Sequence, residues 1–528
     1  MSKLKNKNTP KNKSKNMNTI RPYTVMCTDI YLLWIFMVFP LYFADGYFHL
    51  PEKKAAFWSI STLVYLGVML LGMIITFVST RSEWDWERVK KNISITDIFM
   101  FGFLVSNLIS FALSTDKSNA WTGAGARYYG AKVLILVCLV YFLVSRYAWL
   151  NQIFVWIFLI GGNLVCLLAT FDYFGLDVLG INKQMQASDW LMFISTMGNA
   201  NTCASYVTMA VAGSICYFCV AKDMKSKVFA GISIVNCSAA LIAARSESAF
   251  VGIAVIGIVL LCLMFSKKLN MKSIILVAML VSASMVGLTI CKGIYPEAFA
   301  CDMGIPWLLM NSQGILVSVF IFLVLAYVTA IYMERKKIKF PKNVMKFGWI
   351  TGAVILVVGI VVVLSKINLL EMFKSSMGLS EGALAGNRAY IYSRTIRSYG
   401  QAPLLNKIFG FGQASVSTLL NQSFGEELSS MGIYINSAHN NILDYLVIGG
   451  LLGAVCYLGA VLSVIKKGLK LVKENPEVLV FAGCVIAYFA QGLFNIEQSN
   501  TTTIFWVLLA CVEAMYRQHR DENQKVRK

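Results

Sequence analysis

SIILVAMLVSASMVGLTIC, residues 273–291, contains no charged side chain and no proline. A helix that crosses a bilayer needs about 20 mostly apolar residues, because its backbone must satisfy its own polar groups across the hydrocarbon. This stretch meets that demand, and similar runs fall near 30–48, 55–79, 95–113, 129–146, 150–171, 198–220, 227–243, 248–266, 313–333, 347–365, 438–465, 478–495 and 500–516. They predict an all-α, polytopic integral membrane protein of about 14 transmembrane helices (12–14). Composition agrees. Hydrophobic residues make up 57% of the 528, charged residues 14%, and mean hydropathy is +0.64, whereas a soluble chain carries roughly 25% charged residues.

The net charge of +20 would suit nucleic acid if it were gathered on one surface. It lies instead in short clusters between apolar runs, where basic residues orient spans, so no nucleic-acid partner is expected. The start, SKLKNKNTPKNKSKNMN, reads as a disordered cytosolic tail and not as a signal peptide, since the first apolar run begins near residue 30. With that tail in the cytosol, most of the 47 Lys and Arg fall in cytosolic loops, and both termini are expected there. The expected organisation is a basic cytosolic tail (1–29), helices 1–11 (30–365), one long extracytoplasmic loop (366–437), helices 12–14 (438–516) and a cytosolic tail (517–528). A long loop in a chain of short connections is often functional. The spans look nearly free of charge at depth, with Pro40 as their lone proline. EWDWE (83–87) reads as a tryptophan-flanked interface segment. Most of the 13 cysteines lie in apolar runs, and Cys291 and Cys301 are either free thiols or a loop-closing disulfide.

The external polar stretches carry the candidate site. His439, one of three histidines, stands in SAHNNILDYL where the long loop becomes a helix; it is either a satisfied interfacial imidazole or a group that takes a proton near neutral pH. Asn440 and Asp444, four apart, share a helix face, and His439 lies off that face, which argues against a simple His–Asp relay. GNRAYIYSRTIR holds Arg388, Arg394 and Arg397. On a helix the last two share a face and Arg388 lies roughly 120° away. Guanidinium forks suit phosphate; the plainer reading is an amphipathic helix on lipid headgroups. Arg245, in LIAARSESAFVGI, either snorkels beside Glu247 or offers an anion site at a cleft rim. Asn199 and Asn201 in STMGNANTCASYV suit helix packing or a polar ligand, and Arg127 in WTGAGARYYG suits an interface anchor or a further cation.

In that order these five segments resemble the O-antigen ligase and polymerase superfamily of membrane glycosyltransferases, over roughly residues 110–465. The most specific parts are the Arg–aromatic–Pro–GxG-like series ending in GFG and the His-Asn pair running into a Gly-rich helix. Departures are Tyr392 where many members have Trp, Ala200 in place of a Pro between the two asparagines, and LLNK lengthening the link from Pro403 to Gly410. The resemblance implies a multi-pass protein of the bacterial cytoplasmic (inner) membrane with an extracytoplasmic active site, acting in polysaccharide assembly. A glycan on an undecaprenyl-type pyrophosphate is transferred, with inversion, to an acceptor hydroxyl on a glycan, lipid or protein. It further implies that no metal or other cofactor is used. His439 would activate the acceptor and Arg388 and Arg245 would stabilise the leaving pyrophosphate, with Arg394, Arg397, Arg127, Asn199, Asn201 and Asn440 as binding residues. Two other readings stand beside this ligase: a repeat-unit polymerase of the same superfamily, and a lipid-linked-oligosaccharide flippase, which would carry internal repeats and a charged central path.

Overall fold

The computed structural model describes residues 20–80, 92–186, 190–299, 304–336, 387–430 and 435–526. The opening stretch lies inside one helix, Met271–Ile294, whose start is capped by Asn270 accepting from the Lys272 N–H. In chain order the long helices are α1 (Ile20–Leu33, running on through a π-helical turn to Leu41), α2 (Gly46–Thr80), α3 (Ile95–Leu113), α4 (Ala131–Tyr147), α5 (Gln152–Tyr173), α6 (Ala200–Val220), α7 (Met224–Ala243), α8 (Glu247–Phe265), α9 (Met271–Ile294) and α10 (Gln313–Arg335). After residues 337–386 come α11 (Asn387–Gly400), the short α12 (Leu404–Phe409), α13 (Ser415–Ser430), α14 (Asn441–Leu471), α15 (Val478–Gly492) and α16 (Ser499–Val526). The one sheet among the described residues is a two-residue antiparallel pair, Phe193↔Asn199 and Ile194↔Gly198.

Ten of these helices are long and apolar enough to cross a membrane. The apolar runs at 129–146, 478–495 and 500–516 also fold as helices; α4 and α15 are shorter, and α16 continues into polar sequence. The expected span at 347–365, EWDWE, Cys301 with any disulfide to it, and the first part of the long loop lie outside the described residues.

Polar residues start the helices because each helix begins with unpaired N–H groups. Ser94 and Asp97 form a reciprocal capping box on α3, and Asn151 and Asp223 cap α5 and α7. α6, α15 and α16 form the buried centre, α6 and α15 packed together, and Phe103, Tyr445, Tyr457 and Trp506 make an aromatic cluster where α3, α14 and α16 meet.

Two sequence expectations need correction. Proline also occurs inside α2, at Pro51. Charge is buried in the bundle, near helix ends: Lys54 is fully enclosed and donates to the Pro40 carbonyl at 2.9 Å. At the end of the bundle far from residue 441, Arg517 meets Asp97 at 2.6 Å and Lys467 meets Glu513 at 2.6 Å. Each cation has a carboxylate or carbonyl partner, which is the condition for keeping charge in a low-dielectric interior.

α14 is interrupted. Gly450 has φ +66° within it, and the freed Val447 and Ile448 carbonyls accept from the N–H groups of Phe411 and Gly412 at 2.9 and 3.2 Å. Ser106 donates to the Gly449 carbonyl at 2.8 Å. Both approaches require glycine. A Cβ on Gly410 would stand 2.3 Å from the Ile448 oxygen, and one on Gly450 2.3 Å from the Ile408 oxygen. The GFG turn and the Gly-rich helix, recognised separately in sequence, are therefore two halves of one junction.

Candidate functional site

Residues 435–440 lead into α14, and their backbone is held from several sides. The Ala438 N–H donates to Asp444 Oδ1 at 2.6 Å, and the His439 N–H donates to Ser437 Oγ at 3.0 Å. Asn440 Oδ1 accepts from the N–H groups of Ile442 and Leu443, while its Nδ2 donates to the Leu493 carbonyl at 3.0 Å. Tyr392 on α11 places its hydroxyl 2.9 Å from the His439 carbonyl and 3.0 Å from the Leu493 carbonyl. The loop before α14, the helix α11 and the 493–498 turn thus lock together, with His439 at the junction. Asp444 holds the backbone beside His439.

His439 adopts φ +54°, Arg127 +55° and Arg245 +45°, the left-handed region that non-glycine residues seldom enter. Such conformations cost of order 1–3 kcal/mol each and persist where surrounding structure enforces them. Three of the candidate polar residues share this property.

Burial, and after it the guanidinium charges of Arg388 and Arg127, together lower the His439 pKa to about 4. Both arginines therefore act on one imidazole, although 261 positions separate Arg127 from Arg388 in sequence by subtraction of their numbers. Arg388 comes from the first turn of α11. Arg127 comes from the turn ahead of α4, where Gly123 permits a crossing too tight for a side chain: a Cβ there would lie 2.2 Å from the Gly130 nitrogen. Burial works against the Arg127 charge, and its Nη1 is buried without a hydrogen-bond partner. Among the described residues neither Arg388 nor Arg127 forms an ion pair. Two cations outside any ion pair among the described residues, acting on a buried imidazole, suit an anion.

The other sequence candidates lie in neighbouring structures. Arg245 turns the chain from α7 into α8, donates to the Ala298 carbonyl at 3.0 Å and lies 4.6 Å over the Tyr173 ring. Its neighbour Ser246 donates to Asn201 Oδ1 at 2.8 Å, and Asn495 Nδ2 donates to the Asn201 carbonyl at 2.9 Å. This chain connects the Arg245 turn to the 493–498 turn below His439. Asn199 caps α6 by accepting from the Asn201 N–H at 3.0 Å, so its amide, like that of Asn440, is engaged in starting a helix. Arg394 pairs with Glu427 at 2.6 Å and stacks over Tyr390 and Phe424. Arg397 is exposed, 5.9 Å from the Phe424 ring centre. Arg394 and Arg397 both lie against Phe424 of α13, whereas Arg388 acts electrostatically on His439.

Sequence reasoning missed Tyr392 as an anchor and the 493–498 turn as the floor of the site. Glu497 in that turn is buried, accepts from Asn441 Nδ2 at 3.0 Å and hydrogen-bonds Tyr445; burial holds its carboxyl well above the ordinary range. A signal was present in NIEQSN, an unusually polar run between two apolar ones. Among the described residues no group of three His, Cys, Asp or Glu side chains is placed to hold a metal ion.

Comparison with known families adds one finding. Residues 298–458 match the family described as O-antigen ligase (Wzy_C), in accord with the resemblance drawn from the sequence. The match spans Arg388, Arg394, Arg397, His439 and Asn440, and ends beyond the Gly450 break; it supports a multi-pass membrane enzyme of the O-antigen ligase and polymerase type. No curated protein matches the chain.

Proposed function

We propose that this chain transfers a glycan from a lipid-linked pyrophosphate donor of the undecaprenyl type to an acceptor hydroxyl, at the membrane face where His439, Arg388 and Arg127 lie. The observation that carries the reading is that two guanidinium groups, neither in an ion pair among the described residues, both act electrostatically on the one imidazole at the entrance of α14. The positive-inside distribution of Lys and Arg supports placing this face outside the cytosol.

The chemistry follows from the residues. Arg388 and Arg127 bind the pyrophosphate before reaction and hold it as the anomeric C–O bond breaks, when the electron pair of that bond goes to the phosphate oxygen. The acceptor oxygen attacks the opposite face of the anomeric carbon, giving inversion, and its proton passes to the His439 imidazole. Before the donor binds, burial and the two arginines keep His439 neutral and weakly basic. The bound pyrophosphate offsets their charge, so the imidazole gains basicity when a substrate is present to use it. Arg245 is a second anion-binding position on the Asn201–Asn495 side. A ligase and a polymerase share all these steps and differ in the acceptor.

The experiment is reconstitution of the purified chain with a lipid-pyrophosphate oligosaccharide, products being read by mass spectrometry. Transfer by the native chain and its loss in His439→Ala and Arg388→Ala, both still folded, is the expected result. Single additions indicate a ligase and ladders a polymerase. Undiminished transfer in both variants overturns the mechanism.

A further inference from the structure

At the end of the bundle opposite His439, α7, α9 and α10 enclose a cavity of about 760 Å³. The position is fixed by chain direction. α7 rises from Met224 toward the Arg245 turn, α9 starts at Met271 on the same side as Met224, and Lys268 just before it donates to the Leu469 carbonyl near the end of α14. The cavity walls are apolar, with Phe218, Ile232, Leu276 and Leu280 among them. Ile232 and Val228 are 64% and 54% exposed, so the cavity opens sideways toward the surrounding medium. Along α7 it extends from Met224 to Asn236, about 18 Å at ~1.5 Å per residue. That is close to one leaflet of a hydrocarbon core ~30 Å thick.

One end is polar and cationic: Lys227, Lys272, Asn270 and Ser273 line the mouth. Lys227 is half-buried and has no ion pair among the described residues. Lys272 pairs with Glu334, while Asp223 is turned to its own helix start, where it accepts from the Ser226 N–H at 2.8 Å. An apolar slot one leaflet deep, open to the side and headed by cations, has the shape and charge of an anionic phospholipid.

We propose that this groove is a binding site for an anionic phospholipid of the leaflet opposite the candidate active site. The phosphate lies against Lys227 and Lys272, and one acyl chain runs along α7 between α9 and α10. Gly231 lines the slot, and a Cβ there would have Leu280 and Phe218 at 3.6 and 3.7 Å. A larger side chain at this position fills the acyl path and leaves the cations in place.

The test uses the delipidated full-length chain in mild detergent, titrated with phosphatidylglycerol or with phosphatidylcholine of the same acyl chains and followed by native mass spectrometry. Phosphatidylglycerol is expected to bind more tightly, and the double variant Lys227→Gln/Lys272→Gln to bind it roughly thirtyfold more weakly, at ~1 kcal/mol for each basic residue near a lipid headgroup. Lys227→Gln alone, which breaks no ion pair, is expected to weaken it about fivefold. Gly231→Leu is expected to weaken both lipids. Equal affinity for the two lipids, unchanged phosphatidylglycerol binding in Lys227→Gln, or full competition by soluble glycerol phosphate would each overturn the proposal.

Discussion

The hydroxyl of Tyr392 lies 2.9 Å from the carbonyl oxygen of His439. One side chain of α11 thereby ties that helix, with Arg388 on its first turn, to the backbone of His439. Removing the hydroxyl leaves the His439 and Leu493 carbonyls without this donor. Tyr392→Phe is expected to cost about 1–2 kcal/mol of stability and to lower transfer more than it lowers the unfolding temperature. Parallel thermal unfolding and turnover measurements check this, and equal turnover in both proteins refutes it.

His439 should titrate abnormally. With its pKa lowered to about 4, the imidazole stays neutral in the folded chain at pH values where an unfolded one, near 6.5, is protonated. Protonation therefore favours unfolding between those values, and the contribution of this group to stability falls as pH drops from about 6.5 toward 4. Arg388→Gln removes one of the charges that depress it, so the folded pKa should rise. With three histidines in the chain, imidazole NMR with His49 and His519 replaced reads His439 directly. An ordinary pKa in the native chain contradicts the arrangement.

The arginines should separate by role. Arg388→Gln and Arg127→Gln remove the charge that the proposed mechanism sets against the donor pyrophosphate, and each is expected to lower kcat/KM by about 10²–10³-fold. Arg394→Gln breaks the contact with Glu427 between α11 and α13 and is expected to reduce stability with less than a tenfold effect on kcat/KM. Equal kinetic losses in all three would mean that the arginines act as one undivided cationic surface.

Glu497 should accept an amide and reject truncation. Its buried carboxyl is held in the protonated direction, so Glu497→Gln preserves its shape and the hydrogen bond from Asn441. Glu497→Ala removes the nearer acceptor of that buried amide and leaves it only the Tyr457 hydroxyl at 3.5 Å, costing about 1–3 kcal/mol. Unfolding midpoints of the two variants are the measurement, and a Gln variant as unstable as the Ala variant would mean that the charge itself is required.

Glycine is required at the helix break. Gly450→Ala forces a Cβ toward the Ile408 oxygen at a left-handed position and is expected to cost at least ~2 kcal/mol. Gly425→Ala, where nothing lies within 4 Å of the added carbon, is the control and is expected to be neutral or slightly stabilising. Similar losses in both would remove the special status of Gly450.

The spans were legible because hydrocarbon imposes a length and a composition on every crossing helix. His439 was legible because polar residues at the lip of a span are few. The split between Arg388 and the Arg394–Arg397 pair followed from helix geometry alone. The amides were harder, since Asn199 and Asn440 stand first in their helices, where a ligand-binding group and a cap look the same in sequence. Arg127 and His439 are brought together by tertiary packing with no local signature, and Glu497 belongs to a turn whose depth depends on the helices around it.

The interrupted α14 sets how this protein can be recombined. Because Phe411 and Gly412 donate to carbonyls that the break at Gly450 sets free, the segment before α14 and the helix itself form a single heritable unit. A chimaera that imports a foreign loop up to residue 438 and keeps the resident helix would pair mismatched halves. Exchange from Asn387 through Gly453 moves the whole joint and keeps its hydrogen bonds matched.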